Sequence, residues 1–334
     1  MSRDQGRVLV TGAGGPSGVS ILLAMQGRPV TMFAADIDPY GAGLYLVPSE
    51  RRAILPRGED PGFCDALLEI CRREHVDVVV PTVDTELLPL AGARARYADH
   101  GVRLVMASEE TLRVCLDKWL LFERCRDELR VPATTLVDDA FDASGCDLPV
   151  IVKPRSGSGS RGIRLIEQRA QLEALERDGT LLVQELLPGT EYSLDVLARA
   201  DGHVSAVVPR ARLKVDSGIA VTGRTLHDDR LDTFARQTAR LIGLTTVANV
   251  QVKEDTAGVP ALLEVNPRFP GTMPLTVGSG IDMPRLAIAE ALGGSIPEGP
   301  LAFDDIAMVR FFQERFFAID DLADLERRAA VVAS

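Results

Sequence analysis

Short apolar runs and polar turns divide the chain into alternating strands and helices. Arg7 to Thr11 (RVLVT) is an apolar run that feeds Gly12-Ala13-Gly14-Gly15-Pro16-Ser17-Gly18 and then an apolar helix near Val19 to Met25. A strand, a Gly-rich turn and a helix form the first unit of a doubly wound sheet. A second strand, Val30 to Ala35, ends at Asp36-Ile37-Asp38. The pattern then predicts a helix over Phe63 to Glu74 and strands over Val76 to Val80 and Arg103 to Met106. Thr82, Asp84 and Glu86 follow the third of these strands, at the end where open α/β sheets bind ligands. The same residues are also good helix-capping chemistry, and both readings stand.

Past Thr111 the pattern changes. Asp117-Lys118 opens a helix running from Trp119 to Glu128, where Lys118 reads either as a ligand contact or as a solvated helix charge. Leu148 to Lys153 and Ile163 to Ile166 read as two strands joined by a Gly/Ser loop, Ser156 to Gly162. Such a loop can close over phosphates with its backbone N–H groups, or can be a plain hairpin connection. It is not a P-loop, because no Gly-Lys-Ser/Thr is present and a strand follows. A helix over Gln168 to Asp178 precedes a strand, Leu181 to Leu187. Glu191, Ser193 and Asp195 alternate with apolar residues and share one face, as do Arg210, Arg212 and Lys214. Three cations on one face of a strand must meet anions or solvent. Asp216 to Arg224 reads as a mobile loop, and Asp229 to Ile242 as a helix. Thr246 to Glu254 and Ala261 to Val265 form a hairpin, which places Gln251 across from the pair Glu264 and Asn266. A helix over Pro284 to Leu292, a strand over Ile306 to Phe312 and a helix over Asp320 to Ala330 complete the pattern.

The densest chemistry lies in Ala261 to Thr272 (ALLEVNPRFPGT). Glu264 and Asn266 are two apart in a strand, so a carboxylate and an amide oxygen point the same way, a natural hold for a hard cation such as Mg2+. Pro267 ends the ladder and Arg268 presents a fork of donors suited to phosphate oxygens. Metal ligands beside an anion clamp are what phosphoryl transfer requires. Taken alone, the dozen residues could also be an exposed strand end.

Composition narrows the classes. The 334 residues are 46% hydrophobic and 25% charged with a net charge of −11, and no Lys/Arg block forms a stripe for nucleic acid. No apolar run is long enough for a bilayer and the N-terminus carries no signal-peptide pattern, so a cytoplasmic protein is expected. The cysteines Cys64, Cys71, Cys115, Cys125 and Cys146 make no CxxC pair, and His75, His100, His203 and His227 lack zinc spacing.

In the order and spacing of these motifs the chain resembles the ATP-grasp superfamily, and within it single-copy proteins similar to the carbamoyl-phosphate synthetase large subunit, over about residues 6 to 315. The resemblance implies a fold of mixed α/β and α+β class. A Rossmann-like pre-ATP-grasp domain (1–112) would be followed by a small lobe with a phosphate-covering loop (113–190) and a large lobe with the metal site and a C-terminal extension (191–334).

It also implies ATP and Mg2+, with Mn2+ as an alternative, and two ions expected. By resemblance, Lys118 and Lys153 contact phosphates, and Ser156, Gly157, Ser158, Gly159 and Gly162 belong to the covering loop. Gln184, Glu185, Leu186 and Leu187 form the hinge strand whose backbone and acid bind adenine, and Glu191 holds the ribose. Gln251, Glu264 and Asn266 bind the metal, and Arg268 clamps the triphosphate. Gln251 stands where many relatives carry an acid, which implies weaker binding of Mg2+ before ATP arrives. Arg210 and Arg212, with Lys214 beside them, are candidates for holding the substrate carboxylate, and Thr82, Asp84 and Glu86 for lining the acceptor site.

The expected reaction activates a small-molecule carboxylate as an acylphosphate and joins it to an amine, releasing ADP and phosphate. A kinase-like enzyme acting on carbamate or another small acid is the near alternative. An NAD-dependent oxidoreductase using the Gly-rich turn and Asp36 is the alternative of another class, and it leaves Lys153, Glu264, Asn266 and Arg268 without a role. The expected partners are small molecules, with no nucleic acid or membrane, and a homodimer is the default assembly.

Overall fold

The computed structural model describes residues 6–157, 159, 161–216 and 218–332. It shows a parallel Rossmann-like sheet followed by two antiparallel sheets. The first sheet contains β1 (Gly6–Val10), β2 (Val30–Asp36), β3 (Arg52–Ile54), β4 (Val78–Val80) and β5 (Arg103–Leu104), in the order β3-β2-β1-β4-β5, all parallel. Helices α1 (Pro16–Ala24), α2 (Phe63–Arg73), α3 (Asp84–Gly92), α4 (Arg94–Asp99) and α5 (Glu109–Leu116) connect these strands and lead out of them. The central strands are buried on both faces, which is why they read as unbroken apolar runs.

Helix α6 (Lys118–Cys125) bridges to a small sheet of β6 (Thr134–Leu136), β7 (Val150–Pro154), β8 (Arg164–Ile166) and β9 (Leu181–Glu185), in the order β6-β9-β7-β8. The third sheet is built from β10 (Glu191–Ala198), β11 (Val204–Asp216), β12 (Ile219–Thr225), β13 (Val247–Glu254), β14 (Pro260–Asn266) and β15 (Ala307–Val309), in the order β14-β13-β10-β11-β12-β15. Buried side chains from the first and third sheets merge into common cores, whereas the small sheet has its own around Val152, Ile166 and Val183.

Local signals place the elements. Asp228 caps α8 (Asp229–Ile242) through the N–H groups of Arg230 and Leu231, and Gly243 ends it at φ 63°, where a side chain would be strained. Ser108 accepts from the Thr111 N–H to start α5, and Asp117 accepts from the Trp119 and Leu120 N–H groups to start α6.

Several expectations change. The helix expected over Gln168 to Asp178 contracts to α7 (Arg169–Glu173). The segment expected as a mobile loop from Asp216 to Arg224 is largely strand: β12 pairs antiparallel with β11, from Asp216–Ile219 to Arg210–Thr225. That pairing makes β11 an inner strand instead of a solvated edge. The late strand contracts to Ala307–Val309, and the C-terminal helix α11 extends over Ile319–Val332. Two further helices, α9 (Met273–Gly278) and α10 (Met283–Ala291), follow β14. Among the described residues no helix is long and apolar enough to cross a membrane.

Candidate active site

The site is organised by the pairing of β13 with β14. Gln251 lies opposite Glu264, and Asn249 opposite Asn266. The register then slips: Val252 faces Leu262, so Leu263 has no partner across the ladder. A bulge of this kind bends a strand and re-aims its side chains and carbonyls. The Leu263 carbonyl accepts from the Lys153 Nζ at 3.4 Å, which ties the end of strand β7 to the metal-ligand candidates. Glu264, Gln251 and Ser193 form one polar row across β14, β13 and β10, with Asn266, Asn249 and Asp195 in the next.

Lys153 is buried, and burial pushes its ammonium down to about 8; the carboxylate of Glu264 opposes that shift and the charge of Lys118 adds to it. Lys118 donates to the Gly157 carbonyl at 2.7 Å and its Nζ lies 4.0 Å from the Glu264 carboxylate. The stem of the Gly/Ser loop is pinned to the start of α6. Asp117 bridges Ser156, the Lys118 N–H donates to the Arg155 carbonyl at 3.0 Å, and Arg155 Nε donates to Asp117 at 2.8 and 2.9 Å.

Three clefts meet at Glu264. The first, about 380 Å³, runs between β7, β9 and β13 and is lined by Lys118, Lys153, Gln184 to Leu187, Glu191 and Gln251. The second, about 390 Å³, lies over the polar rows and is closed by the Gly-rich turn at the start of α1; Arg161, Arg212, Arg268 and Ser193 face it. The third, about 430 Å³, opens at the outer edge of β14 against α3, α5 and α6. Glu264 lines all three, and Asn266 the second and third.

A hard cation fits the donor set, with one carboxylate and two amide side chains gathered at the meeting point. Among the described residues no group of three or more His, Cys, Asp or Glu could hold a metal. Three protein donors would leave the rest of an octahedral shell to phosphate oxygens or water.

The structure brings together Lys118, Lys153, Ser156, Gly157, Gln184 to Leu187, Glu191, Gln251 and Glu264 around the first cleft. Gly159 lies in the second, Gly162 packs against Pro154, and Ser158 lies outside the described residues. Glu191 and Arg212 pair with each other across β10 and β11, and Arg212 also donates to the Gly218 carbonyl at 2.8 Å. Thus the expected ribose acid and the expected carboxylate holder share a boundary between two clefts.

Other expectations are corrected. Arg210 does not face a cleft: it is 2% exposed and its guanidinium binds Asp195 at 2.6 Å and the Thr272 hydroxyl. Asp195 also accepts from Asn249 at 2.8 Å and from Thr276, so Arg210 neutralises a fully buried acid. Removing one partner of such a pair leaves an uncompensated charge. Arg210→Met should lower stability by about 3–5 kcal/mol, read by urea denaturation, with an unchanged midpoint counting against this account. Lys214 is exposed beyond a register shift and lies outside the three clefts.

Glu86 is buried against the Thr11 hydroxyl, and burial pushes its carboxyl up to about 7. Thr82 lines the second cleft while donating to the carbonyls of Thr11 (2.8 Å) and Gly12 (3.2 Å), and it caps no helix. Asp84 holds Arg268 through Nε at 2.6 Å and Nη2 at 3.2 Å, fixing the plane of the guanidinium. The Glu185 carboxylate is occupied by Arg130 at 2.8 and 2.9 Å and by the Ala133 N–H at 2.9 Å, which leaves the backbone past β9 to face the first cleft.

The dinucleotide alternative fails on geometry. Asp36, the acid a ribose would need, accepts from the Gly14 N–H at 2.6 Å and the Asp38 N–H at 2.9 Å. A Cβ on Gly14 would meet Gly41 at 2.6 Å, and one on Gly43 would meet the Ala13 carbonyl at 1.9 Å, so this segment packs directly on the turn. Arg161, Ser193, Asn249 and Lys253 are cleft residues that sequence reasoning did not select. The alternation Asn249-Gln251-Lys253 was a usable signal, since it places all three on the face that carries Gln251.

Comparisons with known proteins agree with the fold. Residues 177–313 match the family described as ATP-grasp in the biosynthetic pathway with Ter operon, and residues 8–105 match the PylC-like N-terminal domain. The carbamoyl phosphate synthase large chain of Thermomicrobium roseum is 29% identical over 227 residues, covering 60% of this chain; the chain spans only 21% of that relative's length. A biotin carboxylase from Campylobacter jejuni superposes with a TM-score of 0.72 at 17% identity, covering 89% of this chain and 73% of the other. An L-amino acid ligase from Bacillus licheniformis gives a TM-score of 0.66 at 17% identity, covering 87% and 75%.

Proposed function

Since the chain belongs to the ATP-grasp superfamily, with distant homology to the carbamoyl phosphate synthase large chain, we propose that this ATP-dependent enzyme is a carboxylate–amine ligase. The fold is shared with a biotin carboxylase and with an L-amino acid ligase, so the fold leaves the reaction open. The observation that carries the reading is the meeting of three separate clefts at Glu264. A kinase needs two sites, whereas a ligase needs a nucleotide, an acid and a nucleophile to meet at one point.

In this reading ATP lies in the first cleft, with its adenine against the backbone of Glu185 to Leu187 and its ribose at Glu191. Lys118 and Lys153 neutralise its phosphates. Gln251, Glu264 and Asn266 hold Mg2+, which when bound supplies charge neutralisation at the phosphate oxygens. Arg161, Arg212 and Arg268 face the second cleft, and they make it the side for a carboxylate.

The acid's oxygen forms a bond to the γ-phosphorus as the bond to the ADP oxygen breaks. The amine nitrogen then bonds the acyl carbon as its bond to the phosphate oxygen breaks, and the surplus amine proton leaves to the phosphate or to solvent. The protein's part is positioning and neutralisation, and the 156–162 loop excludes water from the acylphosphate.

ADP release with Mg·ATP across a panel of carboxylic acids, each with and without amines, tests this. Turnover should require both an acid and an amine. ADP release driven by bicarbonate or an acid alone, with acylphosphate hydrolysis excluded, would replace the ligase with the kinase-like reaction. No acid-dependent turnover at all would remove the ligase reading.

A further inference from the structure

The third cleft has a chemistry of its own. Its wall is apolar: Leu88 from α3, Cys115 and Leu116 from α5, Leu120 from α6 and Val265 from β14. Leu88 and Leu120 are 36% and 40% exposed, so two large side chains from different helices present apolar surface to one 430 Å³ space. That volume is within the usual range of small-molecule sites, roughly 300–1,000 Å³. At its inner end stand Glu264 and Asn266, the two residues it shares with the second cleft. The Lys118–Gly157 hydrogen bond of 2.7 Å lies between it and the first cleft.

Charge separates the third cleft from the second. The second is faced by Arg161, Arg212 and Arg268. The third carries three carboxylates, Asp84, Asp117 and Glu264, against Arg113 and Lys118. Arg113 is held by Glu109 at 3.0 Å, and Lys118 is turned to Gly157 and Glu264. Asp84 and Asp117 each hold an arginine already, Arg268 and Arg155, so they offer an amine hydrogen-bond acceptors more than net charge. An anion would meet carboxylates here and an uncharged polar molecule would waste the apolar wall.

We propose that the third cleft, at the outer edge of β14, is the binding site of the nucleophilic substrate, and that this substrate is a primary amine on an apolar body. The nitrogen lies at the inner end of the cleft with Asp84 as its acceptor, beside the Glu264 and Asn266 that hold the ion in the ligase reading, and the apolar part lies between Leu88, Leu116 and Leu120. This rests on the ligase reading for the amine's role but not for its binding, which can be measured without turnover.

The test is binding of an n-alkylamine series, butylamine to octylamine, to the full chain with Mg·ADP present. The single tryptophan, Trp119, lies between Lys118 and Leu120 and reports locally by fluorescence; calorimetry checks it. Affinity should rise about fourfold per added methylene, as for apolar surface leaving water. Octanoate should bind at least tenfold more weakly than octylamine. Leu88→Ser and Leu120→Ser should each weaken octylamine at least tenfold and leave Mg·ADP affinity within twofold. Both side chains are exposed enough for the variants to fold.

Affinity flat with chain length, octanoate binding as tightly as octylamine, or both leucine variants binding as wild type would each overturn the proposal. Chain-length-dependent binding with no acid–amine turnover would keep this site and remove the ligase. Turnover with small polar amines and flat alkylamine binding would keep the ligase and remove this site.

Discussion

Lys153→Met should reduce kcat/KM for ATP by about 10²–10³-fold, the usual cost of deleting one preorganised charge at a developing phosphoryl charge. The fold should survive, because a methionine replaces the apolar stem of the lysine and the lost partner is a bulged carbonyl at 3.4 Å. The wild-type enzyme should also show a pH signature that the variant lacks. Burial brings Lys153 down to about 8 in the free protein, and a bound triphosphate would favour its charged form. Below about pH 8 the ammonium is already present and nucleotide binds without proton uptake. Above it, binding must carry a proton in, so affinity falls as pH rises.

The linkage to stability has the opposite sign. The unfolded chain holds this proton up to its ordinary value near 10.5 while the folded chain loses it near 8, so the penalty for burying the charge is relieved as pH rises between them. Calorimetry of Mg·ADP binding between pH 7 and pH 9 in buffers of different ionisation enthalpy measures the uptake directly. Equal affinity and no proton uptake in wild type would remove Lys153 from the phosphate site.

Glu264→Gln should be the most damaging isosteric change, with turnover lost by about 10³-fold or more as the candidate metal ligands Gln251, Glu264 and Asn266 give up the one carboxylate among them. The remaining donors would be amides only, and the Mg2+ concentration for half activity should rise at least tenfold, by analogy with the cost of disturbing a metal's surroundings. Glu264 is also one of the groups that hold Lys153 in its charged form, so the two substitutions act on one network. The double variant Lys153→Met/Glu264→Gln should therefore lose less than the product of the single losses. Thermal stability of Glu264→Gln should stay within about 1 kcal/mol, since the side chain is partly exposed and bordered by open clefts. A variant that unfolds would show a structural role, and one with normal Mg2+ dependence would show that the metal lies elsewhere.

The corrections share one cause. Arg210 and Arg212 alternate on the same strand and look equivalent in sequence. Their fates differ because Asp195 and Thr272 close over Arg210 from another strand and another loop, while among the described residues Arg212 pairs with Glu191 and the Gly218 carbonyl at a cleft wall. In the same way Thr82, Asp84 and Glu86 form one polar cluster in sequence. On α3 and its entry they point in three directions: to the first sheet, to Arg268 and into the core. Asp36 looked free to bind a ribose, but Gly14 is near enough to take its oxygen.

What the sequence by itself determined was set by local physics. The two-residue period placed Glu264 and Asn266 on one face and Gln251 across from them. The buried runs gave a parallel first sheet, and the start of α6 was readable in Asp117-Lys118. Only the tertiary structure decided which charges face open space, because a charge is spent or free according to partners far away in the chain. It also decided that three clefts meet at Glu264. That depends on the first sheet, the small sheet and β14 converging, and no segment of the sequence contains it.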